Sequence, residues 1–431
     1  WYYGPQKWIM NNVTVDYNSD GRLFDAVKIV AARQDFGESR HDRKIYDNLV
    51  NETFEKVIAW SVNADFEKQA GKNFLFYGVE ALTNNIISTA SGRDILTGEL
   101  FPAPSRYPDG DNRYNNIALY AGTKRNFSEK VIANAGARYN YNTLASNFVD
   151  NSFYNFPFTE INLKSGALTG SLGMVWLPGD KTQLSLNLSS GFRAPNLDDV
   201  SKVFDSEPGN VVVPNPGLKP EKAYNIDLGV TRDFFDLFHV ELSGFYTILN
   251  DVMVRRDFTL NGQDSILYLG EMSKVLAVVN SDHATVWGAH ISMQVSPVRN
   301  LRLRTNLNLT DGEDQDGIPL RHVAPLNGSV HMEYETKKFK ADLYTIYNGE
   351  LSYEDMPPSE SDKDYLYATD DNGNPYCPSW YTLNLKVSYQ LGNFGIVNAG
   401  LENILDHRYR PYSSGIVAPG RNFIIALRLF I

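Results

Sequence analysis

Hydrophobic and polar residues alternate along many segments of the chain. In QLSLNLSSGF (183–192) one face carries leucines and the other carries small polar residues, namely Leu184, Leu186 and Leu188 against Ser185, Asn187 and Ser189. A period of two is typical of a β-strand whose two faces meet different surroundings. YTLNLKVSY (381–389) and LRLRTNLNL (301–309) show the same alternation. The pattern therefore predicts a sheet with one apolar and one polar side.

The alternation recurs often enough to predict about seventeen strands of roughly 10–13 residues, twice the usual length in globular proteins. These segments are 8–17, 23–34, 53–65, 73–85, 113–124, 129–142, 165–177, 183–192, 224–230, 236–250, 283–295, 301–309, 326–336, 338–349, 381–389, 394–404 and 423–431. A tilted strand of about nine to eleven residues crosses the apolar core of a bilayer. The predicted strands are long enough to span a membrane.

The segments between the strands alternate in length. Short connections of four or five residues lie at 18–22, 68–72, 126–129, 177–181, 233–236, 296–300, 335–338 and 391–394. Long polar segments lie between them, near 35–52, 86–112, 143–164, 193–220, 251–282, 311–325, 350–378 and 405–420. Short turns at one rim and long loops at the other are typical of an outer-membrane barrel. We therefore predict an all-β fold, a transmembrane antiparallel up-and-down β-barrel.

The two faces of the predicted strands have different surroundings. The lipid-facing set is Leu184, Leu186, Leu188, Leu301, Leu303, Leu383, Leu385, Leu427 and Leu429. The opposite face carries mid-strand charges, namely Asp227, Arg302, Arg304 and Lys386, together with Asn384. In a dry core each unpaired charge would cost several kcal/mol. This argues against a soluble propeller or stacked sandwich and favours a wet lumen.

Composition narrows the classes further. No apolar run reaches the ~18–20 residues of a transmembrane helix. Cys377 is the single cysteine, which excludes an internal disulfide and a cysteine-based zinc cluster. A net charge of −11 argues against nucleic acid as a partner. DYNSDG (16–21) matches half of a calcium loop, but Val27 stands where such a loop needs glutamate. The acidic segments DGEDQDG (311–317) and DDNGN (370–374) could hold a loosely bound divalent ion, but solvated loops are favoured. We predict no bound metal and no cofactor.

Two further segments carry a family resemblance. GFRAPNLDDV (191–200) followed by NPGLKPEKAYNIDLGV (215–230) resembles a pair of segments in TonB-dependent outer-membrane receptors. LENILDHRYRPYSSGIVAPGRNFIIALRLFI (401–431) is similar to the last two strands and final loop of that family. The resemblance implies a 22-stranded barrel of a Gram-negative outer membrane. It also implies an N-terminal plug inside the barrel and a short segment that couples to the TonB complex.

The chain departs from this family pattern at its N-terminal side. About seventeen strands are predicted, no plug is recognisable, and the opening residues WYYGPQKWIM (1–10) contain no signal peptide. We therefore expect residues 1–431 to be the C-terminal portion of the barrel, with the plug and first strands absent from this chain. An open edge is expected near 8–17, and the last strand is expected to lack a partner.

Loop residues are the candidates for substrate binding. Arginine offers a planar fork to anionic oxygens, and tyrosine offers a flat face with a polar tip. The candidates are Arg193, Asn196, Asp198, Arg255, Arg256, Arg408, Tyr409, Arg410 and Tyr412. Packing within the loops and contact with lipopolysaccharide are the alternative explanation for each of them. No catalytic residue is predicted, because no phosphate loop, zinc-binding helix or nucleophile turn occurs in a strand–helix context.

The resemblance implies energised import of a scarce large solute rather than an enzymatic reaction. A ferric siderophore is the first expectation. Haem and cobalamin are alternatives, as are a glycan import system that pairs with a surface lipoprotein and a passive porin. No histidine lies between Arg193 and Pro220, which weakens the haem reading, although His407 or the plug could supply a ligand. Expected partners are the TonB complex, the plug, lipid and lipopolysaccharide, with a surface lipoprotein as a partner if the cargo is a glycan.

Overall fold

The computed structural model describes residues 2–204, 209–235, 237–268, 270–361 and 363–430. Seventeen long strands dominate it. They are β1 (Lys7–Asn18), β2 (Ala26–Asp42), β3 (Leu49–Ala70), β4 (Asn73–Asp94), β5 (Asn112–Asn126), β6 (Val131–Asn147), β7 (Glu160–Gly179), β8 (Thr182–Arg193), β9 (Glu221–Phe234), β10 (Phe238–Asp257), β11 (Glu271–Val298), β12 (Leu301–Asp314), β13 (Asn327–Glu335), β14 (Phe339–Asn348), β15 (Trp380–Gln390), β16 (Gly395–Glu402) and β17 (Asn422–Leu429).

Short elements lie in the connections. Two-to-four-residue strands occur at Tyr2–Tyr3, Leu100–Pro102, Asn210–Val213, Ser265–Tyr268, Ala368–Thr369 and Pro375–Tyr376. Two four-residue helices occur at α1 (Leu197–Val200) and α2 (Pro358–Ser361), and a 3₁₀ turn at Asp364–Leu366. No helix among the described residues is long and apolar enough to cross a membrane.

Each long strand pairs antiparallel with the next one along the chain, from β1 to β17. Consecutive pairing places the eight connections predicted as turns at one rim and the eight predicted as long loops at the other. The predicted up-and-down architecture is therefore confirmed. One short pairing is parallel, because Asn210–Val213 runs beside Lys274–Ala277 of β11. The expectation of antiparallel pairing throughout was wrong at this point, where a loop segment folds back against an existing strand.

The register separates an apolar face from a polar face. Leu383 is paired with Thr345 and Leu385 with Leu343, whereas Asn384 is paired with Tyr344. Directly paired residues lie on the same face of the sheet, and neighbouring residues of a strand lie on opposite faces. Leu383 and Leu385 therefore lie on one face and Asn384 lies on the other. The same holds for the other predicted lipid-facing positions, namely Leu184, Leu186, Leu188, Leu301, Leu303, Leu427 and Leu429. The predicted two-faced register is confirmed.

Strand β9 shows the profile of a membrane belt most clearly. Every second residue is exposed, in the order Lys222, Tyr224, Ile226, Leu228, Val230, Arg232 and Phe234. Polar or aromatic side chains stand at both ends of this series, and aliphatic side chains fill its middle. This order matches an apolar band flanked by interfacial aromatic and basic residues. The exposed apolar face is therefore the lipid-facing side of the sheet.

Charges on the polar face are satisfied by neighbours. The Asp227 carboxylate accepts hydrogen bonds from the side-chain amides of Asn187 at 3.0 Å and Asn225 at 2.6 Å. Farther along the sheet, Glu333 forms ion pairs with Arg302 at 3.3 Å and with Arg304 at 3.0 Å. The mid-strand charges that the sequence analysis assigned to a lumen are thus paired across neighbouring strands.

Asn384 lies on the polar face as predicted, but its side chain is not accessible to solvent. Its side chain is only 4% exposed. The amide donates to Thr382 Oγ1 at 3.0 Å, and its oxygen accepts the backbone N–H of Asn403 at 2.8 Å. The connection after β16 therefore folds over this position. The sequence pattern reports which face a residue occupies but not which loop covers it.

Several strands extend well beyond the predicted bounds. β3 and β4 have 22 residues each and β11 has 28, so part of each lies beyond any bilayer core. The segment predicted as a long loop at 35–52 shrinks to residues 43–48. Alternation fades in these extensions because loop side chains pack against them. A buried cluster there includes Leu144, Phe148, Phe156, Ile161, Leu197, Val200, Val211, Val213 and Val275.

The two outer strands of the sheet have one partner each. β1 pairs only with β2, β17 pairs only with β16, and every described residue in both strands is exposed. The predicted open edge is confirmed for the described residues, and residue 431 lies outside them. That a plug and earlier strands precede this chain stays a prediction.

The membrane belt can be tested by placing one charge on each face. Leu228→Arg puts a cation in the middle of the belt and should cost roughly 2–4 kcal/mol of folding free energy in lipid. Ser243→Arg should have little effect, because Ser243 is exposed on the polar face opposite Gly229. Folding into vesicles along a urea titration measures both. Equal losses for the two variants would contradict the assignment of faces.

Candidate functional site

The nine predicted binding residues lie at the rim of the long connections, six of them in the connections and three, Arg193, Arg255 and Arg256, at the ends of strands β8 and β10. They fall into two groups. The first group, Arg193 to Arg256, surrounds the loop between β8 and β9. The second, Arg408 to Tyr412, lies in the connection between β16 and β17, which we call the terminal loop (residues 403–421).

Arg193 and Asn196 hold the start of the β8–β9 loop. The Arg193 guanidinium contacts Asp199 Oδ1 at 2.5 Å and Glu221 Oε2 at 3.2 Å. The Asn196 side chain accepts the backbone N–H of Asp199, and the Asp199 carboxylate accepts the backbone N–H of Asn196. This capping box starts α1. Both residues therefore position the loop, and a direct contact with substrate stays a prediction.

Asp198 is the acceptor in a second cluster. It receives the Tyr107 hydroxyl at 2.7 Å and lies 3.0 Å from Lys202 Nζ and 3.9 Å from Arg106. Burial, followed by the hydrogen bond and charge of Asp198, raises the pKa of Tyr107, so its hydroxyl stays protonated and donates. Arg106 and Lys202 therefore share one exposed carboxylate.

These cations line a cavity of about 370 Å³ that we call the cationic cavity. Its basic lining residues are Arg40, Arg106 and Lys202, and its aromatic ones are Tyr3, Tyr154, Phe204 and Tyr268. Asp42 is its acidic lining residue. Lys202 Nζ lies 3.9 Å from the centre of the Phe204 ring, and the Arg255 guanidinium lies 5.1 Å from it. These cation–π contacts hold both positive groups against the Phe204 ring.

Arg256 does not line the cavity. Its guanidinium contacts the nearly buried Asp314 carboxylate at 2.6 Å, which links the end of β10 to the end of β12. Of the five predicted residues in this group, Asp198 and Arg255 lie beside the cationic cavity. Arg40, Arg106 and Lys202 were missed by the sequence analysis, because they come from three separate segments and carry no shared motif.

The terminal loop forms a second cavity, of about 310 Å³, which we call the terminal-loop cavity. Residues 365–368 and 377–380 form its other wall. The Tyr409 and Trp380 rings stack with centroids 4.1 Å apart, and His407 lies 6.4 Å from Tyr409. Arg408 is exposed at the wall, whereas Arg410 donates to the Leu366 carbonyl at 2.6 Å. The predicted cluster Arg408–Tyr409–Arg410 therefore does line one cavity.

Glu360 joins three loops beneath this cavity. It is fully buried, and its carboxylate contacts Arg321 at 2.6 Å, the Tyr367 hydroxyl at 2.5 Å and the Ser413 hydroxyl at 3.1 Å. Lys363 lies 3.4 Å away. Burial alone would raise the pKa of Glu360, but the Tyr367 hydrogen bond and the charges of Arg321 and Lys363 outweigh it and lower the pKa. The carboxylate is therefore ionised at neutral pH.

Sequence reasoning missed Glu360, since it is one of several acidic residues in a polar segment and no spacing marks it out. Tyr412, which was predicted as a binding residue, packs beside it with its ring 6.4 Å from Tyr367. Burial, with the nearby Glu360 charge, raises the pKa of Tyr412 to about 12. Its phenol is protonated at neutral pH and offers a hydrogen bond rather than an anionic oxygen.

A group of metal-ligating side chains lies elsewhere, on the polar face of β13 and β14. Potential ligand atoms of His331, Glu333 and Asp342 lie within 4.8 Å of one another. Glu333 is already paired with Arg302 and Arg304, and His331 Nδ1 lies 3.0 Å from Asp342 Oδ2. These donors are engaged in an ion-pair ladder that needs no metal for its charge balance.

The chain resembles known proteins that belong to one family of outer-membrane receptors. The family model for "TonB dependent receptor-like, beta-barrel" matches residues 2–404. The Heme/hemopexin utilization protein C of Haemophilus influenzae is 22% identical over 323 residues, which cover 69% of this chain and 41% of that protein. The Iron-regulated outer membrane virulence protein of Vibrio cholerae is 23% identical, over 56% of this chain and 36% of that protein.

Solved structures agree on the fold. The copper transporter OprC superposes with a TM-score of 0.77 at 14% identity, covering 99% of this chain and 65% of that one. The ferric yersiniabactin uptake receptor FyuA from Yersinia pestis gives 0.68 at 15% identity, covering 98% and 61%. The chain thus spans about two-fifths of the curated relatives above and under two-thirds of these structures.

The loop assembly around Glu360 predicts a local defect. Glu360→Ala leaves Arg321 and Lys363 without their buried partner, and breaking a buried pair in this way costs about 3–5 kcal/mol. We expect faster proteolysis within residues 350–379 and 403–421, with the wall strands unaffected. Limited proteolysis followed by mass spectrometry measures this. Glu354→Ala, an exposed position in the same loop, is the control. Equal cleavage of the two variants would show that Glu360 does not hold the loops.

Proposed function

Because the chain belongs to the TonB-dependent receptor family, we propose that it is part of a receptor that imports a large anionic iron complex, with a ferric siderophore as the first candidate. Members of this family are barrels of the Gram-negative outer membrane, and they are transporters or receptors rather than enzymes. The chain is therefore an outer-membrane protein. The identity of its cargo is the proposal.

The cationic cavity is the observation that carries this proposal. Arg40, Arg106 and Lys202 converge there, with Asp42 in the lining. Arg40 is also ion-paired with Glu38 at 2.6 Å and Lys202 with Asp198 at 3.0 Å, so a guest would share these cations with the acidic side chains. Charge-assisted hydrogen bonds from such groups to anionic oxygens are worth about 1.5–3 kcal/mol each. The ring faces of Phe204 and the tyrosines suit flat aromatic parts of a chelate. A guest with anionic oxygens and aromatic surface matches both features.

Transport in this proposal needs no covalent step. The loops capture the iron complex, and a plug that is moved by the TonB complex opens a route through the lumen. Receptors of this family work with TonB and have a plug domain, and both are proposed here for the complete protein. The polar lining of β8 to β14 suits such a path, because paired side chains such as Asn187 and Asp227 present hydrophilic groups inward.

Haem is the second candidate, and the terminal-loop cavity favours it. His407 lies in that cavity beside the stacked rings of Tyr409 and Trp380. A histidine nitrogen can ligate haem iron, and aromatic rings can cover its flat faces. The printed name of the Haemophilus influenzae relative refers to haem and hemopexin. The two proposed guests involve different cavities, so each can be tested separately.

The siderophore proposal predicts loss of capture when the cationic cavity loses charge. Arg106→Gln combined with Lys202→Gln should weaken binding of a ferric siderophore by roughly ten-fold or more, because two charge-assisted bonds are lost. The complete receptor is titrated against a panel of ferric siderophores, haem and cobalamin. Lys337→Gln with Lys338→Gln, at the turn between β13 and β14, removes the same charge far from the loops.

Two outcomes of this experiment would count against the proposal. One is unchanged binding of every ferric siderophore by the cavity variant. The other concerns uptake by cells that carry the complete receptor. Energised import requires the proton-motive force, so uptake should stop when the membrane is de-energised. Uptake that continues would indicate passive diffusion through a pore.

The haem candidate makes a separate prediction. His407→Ala should remove an iron ligand and shift the haem absorption spectrum of the complete receptor, while siderophore binding stays unchanged. His283→Ala, at a position in the long strand β11, is the matched control. An identical spectrum for wild type and His407→Ala would remove His407 as a ligand and leave haem without support from this cavity.

A further inference from the structure

The wall of the sheet is split between β7 and β8. β7 pairs with β6 from Glu160 to Trp176, but its pairing with β8 runs only from Gly179 to Ser171. Above that point β8 continues to Arg193, paired only with β9. Residues 160–170 of β7 therefore have a strand on one side alone, within the part of the chain that the structure describes.

A single side chain closes the base of the split. The Ser190 hydroxyl accepts the backbone N–H of Gly170 at 2.9 Å. Backbone groups of alternate residues point to the same side of a strand, so those of Leu168 and Gly166 also face the split. These groups lie at and above the level of Tyr224 and Lys222, where the apolar band of β9 gives way to the headgroup region. A backbone group that has no strand partner there must be satisfied by a headgroup, a loop or water. The split therefore needs hydrogen-bonding partners from its surroundings.

An apolar groove of about 600 Å³ lies at this point. On the lipid-facing side it is lined by Leu172, Leu188, Tyr224, Ile226, Tyr246 and Ile248. Gly170 and Ser190 form the floor of the groove. Gly170 has no side chain and that of Ser190 is small, so the space between the larger lining side chains stays open. The groove is continuous with the surface that contacts lipid, so an acyl chain is the occupant that its position favours.

A cation stands above the groove. Lys222 is exposed on the same face as Tyr224, two residues or about 7 Å farther toward the long loops. Leu168 lies at the same height on the other side of the split, because Gly170, Ser190 and Tyr224 share one level. The level of Lys222 therefore offers an ammonium group and backbone N–H donors that face the split. This combination suits an anionic group.

We propose that the β7–β8 split is a specific site for an outer-membrane lipid with an anionic headgroup. One acyl chain fills the groove over Gly170 and Ser190. The headgroup lies at Lys222, and its oxygens accept hydrogen bonds from the backbone on the free edge of β7. The lipid thereby completes the wall where strand pairing stops. This site is independent of the solute that the receptor imports.

The test uses the full-length receptor in detergent, titrated with phosphatidylglycerol or with phosphatidylcholine of the same acyl chains. Native mass spectrometry counts the lipid retained. We expect wild type to bind the anionic lipid about ten-fold more tightly, because one charge-assisted contact is added. Ser190→Leu fills the groove and should weaken both lipids about ten-fold. Lys222→Gln should remove only the preference for phosphatidylglycerol.

Two control variants carry matched changes away from the split. Ala399→Leu adds the same bulk to the lipid-facing side of β16, and Arg232→Gln removes a charge at the opposite end of the belt on β9. Both should bind like wild type. Equal binding of the two lipids by wild type would overturn the proposal, as would unchanged binding by Lys222→Gln. Heat-dependent gel mobility shows whether each variant folds. If Ser190→Leu does not fold, the lipid binding of Lys222→Gln still tests the proposal.

Discussion

Backbone hydrogen bonding in an apolar medium is the constraint on which this structure depends. A strand in hydrocarbon finds no water, so its N–H and C=O groups must pair with neighbouring strands. The chain meets this demand by pairing each of seventeen strands with the next, from β1 to β17. The places where pairing stops are therefore informative. They include the free edges of β1 and β17 and the split above Ser171 and Ser189, where a side chain and, in our proposal, a lipid take over.

The apolar medium also determines which side chains each face of the sheet can carry. Exposed aliphatic side chains such as Leu228 are stable only because their surroundings are apolar, and a charge there is costly. On the opposite face, charges are tolerated because they are paired across strands, as Asp227 is with Asn187 and Asn225. Such pairs stabilise little in water. Their value here is that they allow polar groups to line the interior without leaving an unpaired charge.

The sequence predicts the wall well and the loops poorly, for a physical reason. A period of two is a local property, so the faces of Leu383 and Asn384 and the alternation of turns and loops could be read directly. The ends of the strands could not be predicted from the sequence. β3 and β11 continue beyond the membrane, where their side chains pack against loops instead of lipid and the alternation disappears. The chemistry of loops is assembled from distant segments. Arg408, Tyr409 and Arg410 were recognisable as neighbours in sequence, but Glu360 meets Arg321 and Ser413 only after three loops fold together.

The loops are in effect a small water-soluble protein on top of a membrane wall. They have their own apolar core around Val200, Val213 and Phe156 and their own buried ion cluster at Glu360. Both candidate cavities are built from this upper part, whereas the wall supplies an anchored rim. A buried carboxylate with several donors holds a loop in one geometry, and breaking it frees the loop without disturbing strand pairing. Capture and membrane anchoring are therefore separable in this molecule, since different solvents stabilise the parts that perform them.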